Sequence, residues 1–453
     1  MSQDETAAPA VRSPEASPPG GAETAQVPMK RVAVASCVGT TIEFYDFFIY
    51  GTAAALVFPT VFFPALGAAA GTVASFATFA VAFVARPLGA IIFGHFGDRI
   101  GRKRTLISTL LLMGIATVLI GLLPGAATIG VAAPILLVAL RFAQGFAVGG
   151  EWAGATLLTA EYAPPGQRGK YALFPQLGPA IAFFLSSGTF LASGLILGYD
   201  NETFLDYGWR IPFIVSILLV AVGLYVRLAI EETPVFKQAQ QSKAPAVATQ
   251  APFVEAIRVQ YREILLGAGA STLFFAFFYM GTAYLTSYGT SPTGANLSRP
   301  LVLGLGMVSS VFFAAAIVAA SIYSDRFGRR KVIMLSTGIA VPWALVMFPV
   351  LDIGTAAAFG IGLTVTLVIF GISYGPLGAF LPELFQTRYR YTGAGLAYNV
   401  AGVLGGAVPP LVAGPLATSF GSIAIGVMLA VIAVFSFVCT KVLAETRGKT
   451  LNA

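Results

Sequence analysis

The sequence predicts an all-α integral membrane protein with twelve transmembrane helices in two six-helix pseudo-repeats and both termini in the cytoplasm. Three observations lead there. The 453 residues are 57% apolar and only 10% charged, with a mean hydropathy of +0.81, whereas soluble domains carry about 25% charged residues. Apolar runs near the ~20 residues needed to cross a bilayer recur along the chain after Lys30. The segments between those runs also divide sharply by charge.

Residues 1–28 are rich in Pro, Ala, Glu and Ser. They lack the basic start and apolar core of a signal peptide and read as a disordered cytoplasmic tail. Six apolar runs follow, near 32–57, 72–94, 105–123, 130–160, 170–198 and 210–230, giving an N-terminal bundle over 29–230. A polar stretch with Glu231, Glu232, Lys237 and Lys243 reads as a cytoplasmic linker over 231–262. Six further runs, near 263–290, 300–323, 332–351, 354–381, 392–418 and 420–443, form a C-terminal bundle over 263–443, with a cytoplasmic tail at 444–453. Of the 27 Lys and Arg residues, Arg210 and Arg299 fall on the side away from the termini, and Arg86 and Arg141 fall within the membrane. The others share the side of the termini, so the positive-inside rule places both ends in the cytoplasm. The opposite loops carry Asp200, Glu202, Asp206 and Asp352.

An internal repeat supports the two halves. The loop after the second run, Gly94 to Arg104, reads G-H-F-G-D-R-I-G-R-K-R, and the loop after the eighth, Ser321 to Lys331, reads S-I-Y-S-D-R-F-G-R-R-K. Glu161 with Arg168, and Glu383 with Arg390, repeat the spacing E-x6-R about half a chain apart. Parallel six-helix repeats are one known transporter plan, with the substrate site between the halves near the midplane.

These residues carry a family resemblance. The G-x-x-x-D-R-x-G-R-[KR]-[KR] segment resembles the signature of the major facilitator superfamily, and Arg141-x-x-x-Gly145 resembles its second motif, associated with proton coupling. The E-x6-R pairs and Glu445-Thr446-Arg447-Gly448 look like the cytoplasmic salt-bridge network of its sugar-porter-like branch. Three strings, Ile42 to Gly51, Arg141 to Trp152 and Glu231 to Phe236, together resemble the metabolite:proton symporters. That resemblance covers nearly the whole chain after Lys30. It implies the major facilitator fold and proton-coupled import of an organic acid or a proline- or betaine-type zwitterion, in a bacterial inner membrane. Gly178-Pro179-Ala180-Ile181-Ala182 resembles part of the antiporter motif of drug exporters without its flanking glycines, which keeps proton-driven export as an alternative.

Five ionisable residues lie well inside apolar runs: Glu43, Asp46, Arg86, Arg141 and Glu151. A charge at the bilayer centre costs about 2.5–3.5 kcal/mol on insertion scales, so such groups face a polar cavity or pair. Glu43 and Asp46, three apart, share a helix face with Phe47 and Tyr50. Arg141 and Gln144 lie on a face of the fourth run at comparable depth, which allows Arg141 to pair with either acid. Glu43, Asp46 and Glu151 are the proton-coupling candidates, with a structural salt bridge as the plainer role for Glu151. Arg141, Arg86, Gln144 and Tyr50 are substrate-binding candidates, with Arg86 alternatively a counter-ion for the acids. The second half adds polar groups on apolar runs, Tyr279 and Tyr284 on the seventh, Tyr374 on the tenth and Asn399 on the eleventh; in the resembled fold the seventh and tenth helices line the cavity, and for each tyrosine the plain alternative is a packing aromatic. Asp98, Arg102, Glu161 and Arg168, with Asp325, Arg329, Glu383 and Arg390, make two charge clusters that would close the cytoplasmic side, or would serve only to set topology.

Other classes are disfavoured. Cys37 and Cys439 lie far apart in apolar runs, and His95 stands alone, so no disulfide framework or metal spacing exists. There is no nucleophile–histidine pairing, phosphate-cradling loop or nucleic-acid-binding face, which excludes an enzyme and implies no cofactor. The expected partners are a small-molecule substrate, protons and the lipid bilayer, with the chain acting as a monomer. An osmosensing role would need the long charged C-terminal coiled coil of the osmosensing relatives resembled here.

Overall fold

The computed structural model describes residues 29–100, 102–149, 152, 154, 156–157, 159, 163–164, 166–198, 201–229, 252–386 and 389–448. For 29–32, 94–100, 102–103, 201, 227, 229 and 252–254 it describes the backbone alone. Among these residues the long helices are α1 (Met29–Leu56), α2 (Gly67–Ile100), α3 (Arg102–Leu122), α4 (Ala132–Val148), α5 (Arg168–Leu197) and α6 (Arg210–Ala229). The second set is α7 (Pro252–Tyr279, continued by a π turn Met280–Tyr284 into Leu285–Thr290), α8 (Arg299–Phe327), α9 (Arg329–Leu351), α10 (Ala356–Leu384), α11 (Arg390–Ala401, a π turn Gly402–Ala407, then Val408–Phe420) and α12 (Ile423–Val442). Ten of these segments have the length and hydropathy to cross a bilayer, and α4 is a shorter apolar helix. α1 has 28 residues and carries the two acids that lower its hydropathy. The chain therefore satisfies its backbone hydrogen bonds within helices, as lipid requires.

The packing repeats between halves. In the first, α1 packs on α5 and α6, α2 on α4, and α3 on α4 and α6. In the second, α7 packs on α11 and α12, α8 on α10, and α9 on α10 and α12. The halves meet where α5 lies on α8 and α10, where α2 lies on α11, and where α1 lies on α7. This is the two-repeat arrangement the sequence predicts.

Small residues set the closest approaches, because packing between helices in lipid relies on shape rather than hydrophobicity. A Cβ on Gly145 would sit 2.3 Å from the Ala82 carbonyl oxygen, one on Gly149 would sit 2.0 Å from that of Arg86, and one on Gly89 would sit 1.8 Å from that of Phe146. α2 and α4 are thus in backbone contact along the stretch that carries Arg86 and Arg141. The second half repeats the device: Gly371 and Gly375 of α10 lie against the backbone of Phe313 and Ile317 on α8. Gly178, in the segment resembling an exporter motif, has its own packing task, since a Cβ there would meet Thr40 of α1 at 2.2 Å.

Three boundaries differ from expectation. The Gly94 motif is not a loop, because α2 stays helical to Ile100. Its repeat likewise runs inside α8 to Phe327, where Gly328 at φ 102° breaks the chain and α9 starts at Arg329; only the left-handed backbone of glycine makes so short a turn cheaply. α7 begins at Pro252, inside the stretch expected to be linker, and kinks at Gln260 before entering the bundle. Residues 444–448 are not a free tail, since Thr446 is fully buried. The expected segments 1–28 and 231–251 and the end of the tail, 449–453, lie outside the described residues.

Gly145→Val tests the contact between α2 and α4. The added side chain meets backbone, which cannot rotate away, so the variant loses about 1–3 kcal/mol or more. A lower unfolding temperature of the purified protein in detergent is the expected reading; an unchanged one would show that the helices can separate at no cost.

Candidate functional site

The centre of the site is an aromatic ring between cations. Phe47 of α1 is buried, and the guanidinium carbons of Arg86 and Arg141 lie 4.2 and 4.3 Å from its centroid. Arg141 also lies 4.0 Å from the Tyr50 ring and 4.9 Å from that of Phe79, and Arg86 lies 4.8 Å from that of Phe83. Cation–π contacts gain strength when desolvated, up to about 2 kcal/mol or more each. Both arginines are buried. Among the described residues, Nε and Nη2 of each have no protein hydrogen-bond acceptor.

Arg141 and Asp46 are joined through two neutral side chains. Arg141 Nη1 donates to Gln144 Oε1 at 3.0 Å, Gln144 Nε2 donates to Thr117 Oγ1 at 2.6 Å, and Thr117 Oγ1 donates to Asp46 Oδ2 at 2.8 Å. Sequence reasoning expected Arg141 to pair with one of the acids of α1; what connects α4 to α1 here is a relay through α3. Glu43, Asp46, Tyr50, Arg86, Arg141 and Gln144 are all buried in this region. The Tyr50 hydroxyl donates to Thr78 at 2.6 Å. Glu151 lies outside the described residues.

The second half closes the site with uncharged groups. The Tyr279 ring on α7 packs against Phe83 at 4.9 Å and Phe79 at 5.3 Å. Glu43 and Arg86 line a water-sized void of about 10 Å³, shared with Val148, Trp152, Tyr398 and Asn399. Beside it, Asn399 Nδ2 donates to the Gly149 carbonyl at 3.2 Å, and Trp152 stacks on Tyr398 with centroids 3.8 Å apart. Gln176 receives the Trp152 indole N–H at 3.3 Å and donates to the Tyr374 carbonyl at 2.6 Å. Tyr374 thus contributes backbone as well as ring. Tyr284 is placed elsewhere: it packs with Phe76, Tyr288 and Phe348, away from the arginines.

At the end of the molecule carrying the repeated charged motifs, the halves are tied by charge. Glu383 of α10 lies 3.6 Å from Arg168 Nη1 of α5 and 3.5 Å from Arg329 Nε of α9, and accepts from Thr446 at 2.7 Å. Asp325 of α8 pairs with Arg329 at 2.7 Å and also accepts the backbone N–H groups of Gly169 and Lys170, at 3.0 and 2.9 Å. A carboxylate there meets the positive end of the α5 dipole and fills two of its free amides. Arg390 Nε donates to the Pro382 carbonyl at 3.1 Å. Glu161 and the side chains of Asp98 and Arg102 lie outside the described residues, so the first half of the expected network is represented by Arg168.

Sequence reasoning missed Thr117, Gln176 and Tyr398. Thr117 is one hydroxyl in the apolar helix α3, and Gln176 is one amide between Pro175 and Pro179 in α5. A neutral polar side chain deep in a spanning helix is a faint signal, because its own carbonyl four residues back can satisfy it. The Glu445 carboxylate was expected in a salt bridge; it accepts the backbone N–H groups of Arg329, Thr446 and Arg447 instead.

The chain as a whole is similar to known proteins. The family model of the Major Facilitator Superfamily matches residues 37–410. An inner membrane metabolite transport protein of Escherichia coli (strain K12) is 45% identical over 424 residues, covering 93% of this chain and 95% of its own. The shikimate transporter of the same organism is 41% identical over 395 residues, covering 86% and 88%. A proline/betaine transporter of Salmonella typhimurium is 32% identical over 430 residues, covering 94% and 85%. Among solved structures, a D-xylose–proton symporter superposes with a TM-score of 0.71 at 19% identity, covering 93% of this chain and all of the other. That last likeness speaks to fold.

Glu383→Gln tests whether the charged network holds the halves together. Breaking a buried pair by removing one partner costs about 3–5 kcal/mol, so labelling of a cysteine placed at Asn399 by an impermeant maleimide, added from the motif face after Cys37 and Cys439 are replaced, should rise roughly tenfold or more. Equal labelling rates would rule out Glu383 as a tie.

Proposed function

The chain belongs to the major facilitator superfamily and is a membrane transporter rather than an enzyme; from that premise we propose that it is a proton-coupled symporter importing a small organic acid or related carboxylate metabolite across a bacterial inner membrane. One observation carries the reading: Arg86 and Arg141 are buried on one Phe47 ring with N–H groups that no described protein atom accepts. A planar guanidinium matches a carboxylate with two parallel hydrogen bonds, which suits this site to an anionic substrate group. Shikimate, proline and betaine, named for the relatives, each bear a carboxylate.

The coupling follows from charge balance. With Glu43 and Asp46 ionised, the two acids offset the two arginines. Protonating one acid leaves a net positive charge in low dielectric, which an anion then neutralises. An anion already on Arg141 draws that cation away from Asp46 and favours the proton there, as reciprocity requires. Asp46, tied to Arg141 by the relay, is the principal proton carrier in this reading, with Glu43 beside Arg86 as its neighbour. Tyr50, Gln144, Tyr279 and Asn399 shape the pocket. The ties of Glu383 and Asp325 form an inner closure on the cytoplasmic face, which opens as the halves rock. Both termini are cytoplasmic in this reading, and the protein acts as a monomer.

Thermal stabilisation of the purified protein by a panel of small acids, their amides and neutral sugars tests the substrate class, because a ligand that binds the folded state raises its stability. The acids should stabilise and their amides should not. The effect should grow as pH falls, until the acid itself protonates. Arg141→Lys should lose it at least tenfold in affinity, because a point charge cannot replace the fork. Sugars stabilising while acids do not, or acids stabilising more at alkaline pH, would sink the reading.

Transport direction has its own test. In proteoliposomes with an imposed inward proton gradient, the stabilising acid should accumulate, and Asp46→Asn should abolish accumulation. Expulsion of the acid from the vesicles would instead favour the exporter alternative.

A further inference from the structure

Thr117 has two acceptors for its single proton. Its Oγ1 lies 2.8 Å from Asp46 Oδ2 and 2.9 Å from the Met113 carbonyl one turn back on α3, while Gln144 Nε2 donates to the same oxygen at 2.6 Å. A hydroxyl donates one hydrogen and accepts two. Thr117 is fully buried, so water does not compete for either arrangement.

We propose that Thr117 is a positioning residue: its hydroxyl turns between Asp46 and the Met113 carbonyl according to whether Asp46 carries a proton, and so switches the hydrogen-bonded bridge between Asp46 and Arg141 on and off. This rests on the reading of Asp46 as the proton carrier.

With Asp46 ionised, every donor in the bridge points from the cation towards the anion: Arg141 to Gln144, Gln144 to Thr117, Thr117 to Asp46. Aligned bonds of this kind polarise one another. When a proton from the aqueous pathway settles on Asp46 Oδ2, that oxygen becomes a donor. Thr117 then accepts from it, keeps the bond from Gln144, and turns its own hydrogen to the Met113 carbonyl. No covalent bond breaks at Thr117, and the only proton gained is the one on Asp46. The Thr117 hydroxyl has an acceptor in both settings and keeps the bond from Gln144, so turning leaves that buried donor satisfied. The last link reverses, however, and the run of dipoles no longer joins Arg141 to a negative charge. Arg141 is then released for an incoming carboxylate.

The charged and titratable groups near Asp46 are Tyr45 on α1 and Arg141 on α4, and around Arg141 stand Tyr50 on α1, Arg86 on α2 and Tyr279 on α7, the last also near Glu43. From α5 and α6, Thr189 and the Pro212 carbonyl lie within 3.1 Å of the Tyr45 hydroxyl. These groups bear on Asp46 whether or not Thr117 has a hydroxyl, so deleting the hydroxyl isolates the switch.

The test follows Asp46 itself and needs no substrate. The full chain in lipid nanodiscs is titrated by infrared difference spectroscopy, and the Asp46 carboxyl band is assigned by its loss in Asp46→Asn. Thr117→Val keeps the shape and removes the hydroxyl; Thr117→Ser keeps the hydroxyl. A hydrogen bond to a charged acceptor favours the ionised form, so its loss should raise the Asp46 midpoint by about one pH unit in Thr117→Val and leave it in place in Thr117→Ser. Gln144→Leu should also raise the midpoint, and should add nothing in the Thr117→Val background, as a shared bridge requires. Equal midpoints for the Val and Ser variants, or additive shifts with Gln144→Leu, overturn the switch and leave the symport reading standing. A band that never titrates overturns both. If Thr117→Val does not fold, Thr117→Ala makes the same comparison.

Discussion

Two guanidinium groups are held on one phenylalanine ring in the apolar middle of a membrane protein, and the rest of the structure answers to that constraint. Isolated charge in such surroundings is too costly to keep, so each positive group must be met by aromatic faces, by acids, or by a chain of dipoles leading to an acid. Phe47, Tyr50, Phe79 and Phe83 supply the faces, and Glu43 and Asp46 supply the negative charge. The glycines that let α2 touch α4 are what bring the two cations to the same ring. Backbone packing and electrostatics are thus one problem here: a side chain larger than hydrogen at Gly145 or Gly149 would push Arg86 and Arg141 apart.

Charge is distributed unequally between two halves whose helix packing is nearly the same. In the membrane interior the charged groups described belong to the first half, and the second half faces them with Tyr279, Tyr374, Tyr398 and Asn399. At the motif face the balance reverses, with Asp325, Arg329 and Glu383 of the second half gripping Arg168 and the start of α5. Each half therefore acts on the other at one level. In the proposed mechanism, a neutral wall lets the balance among Glu43, Asp46, Arg86 and Arg141 respond to one proton or one anion. An ionic tie at the end joins the two halves, and in the proposed mechanism it is released as a unit when they rock.

The hydrogen-bonded bridge explains why a carboxylate and an arginine in the same site need not form a direct pair. A direct bidentate contact would hold Arg141 tightly and compete with the substrate acid proposed for it. Routing the interaction through Gln144 and Thr117 keeps the two charges aware of each other, and leaves N–H groups of Arg141 without a protein acceptor among the described residues. Such an arrangement stabilises the resting charges without consuming the binding capacity of the cation.

Much of the architecture was legible in the residues alone. Apolar runs, the lopsided placement of Lys and Arg and the repeat of the charged motif determine helix number and two-fold organisation, because lipid admits few other ways to satisfy a backbone. The cost of burying charge singled out Glu43, Asp46, Arg86 and Arg141 by type and depth. What the residues could not decide was contact. Helix rotation chose Thr117 and Gln144 as intermediaries, sent Tyr284 to another cluster, turned Glu445 onto backbone amides and put the Asp325 carboxylate on the first turn of α5. A neutral threonine costs little wherever it lies in a helix, so only tertiary packing, by bringing α1, α3 and α4 together, gives its hydroxyl a role. The sequence by itself determined which charges the membrane interior must hold; the fold alone decided which neutral groups connect them, because that depends on distances of a few ångströms between helices far apart in the chain.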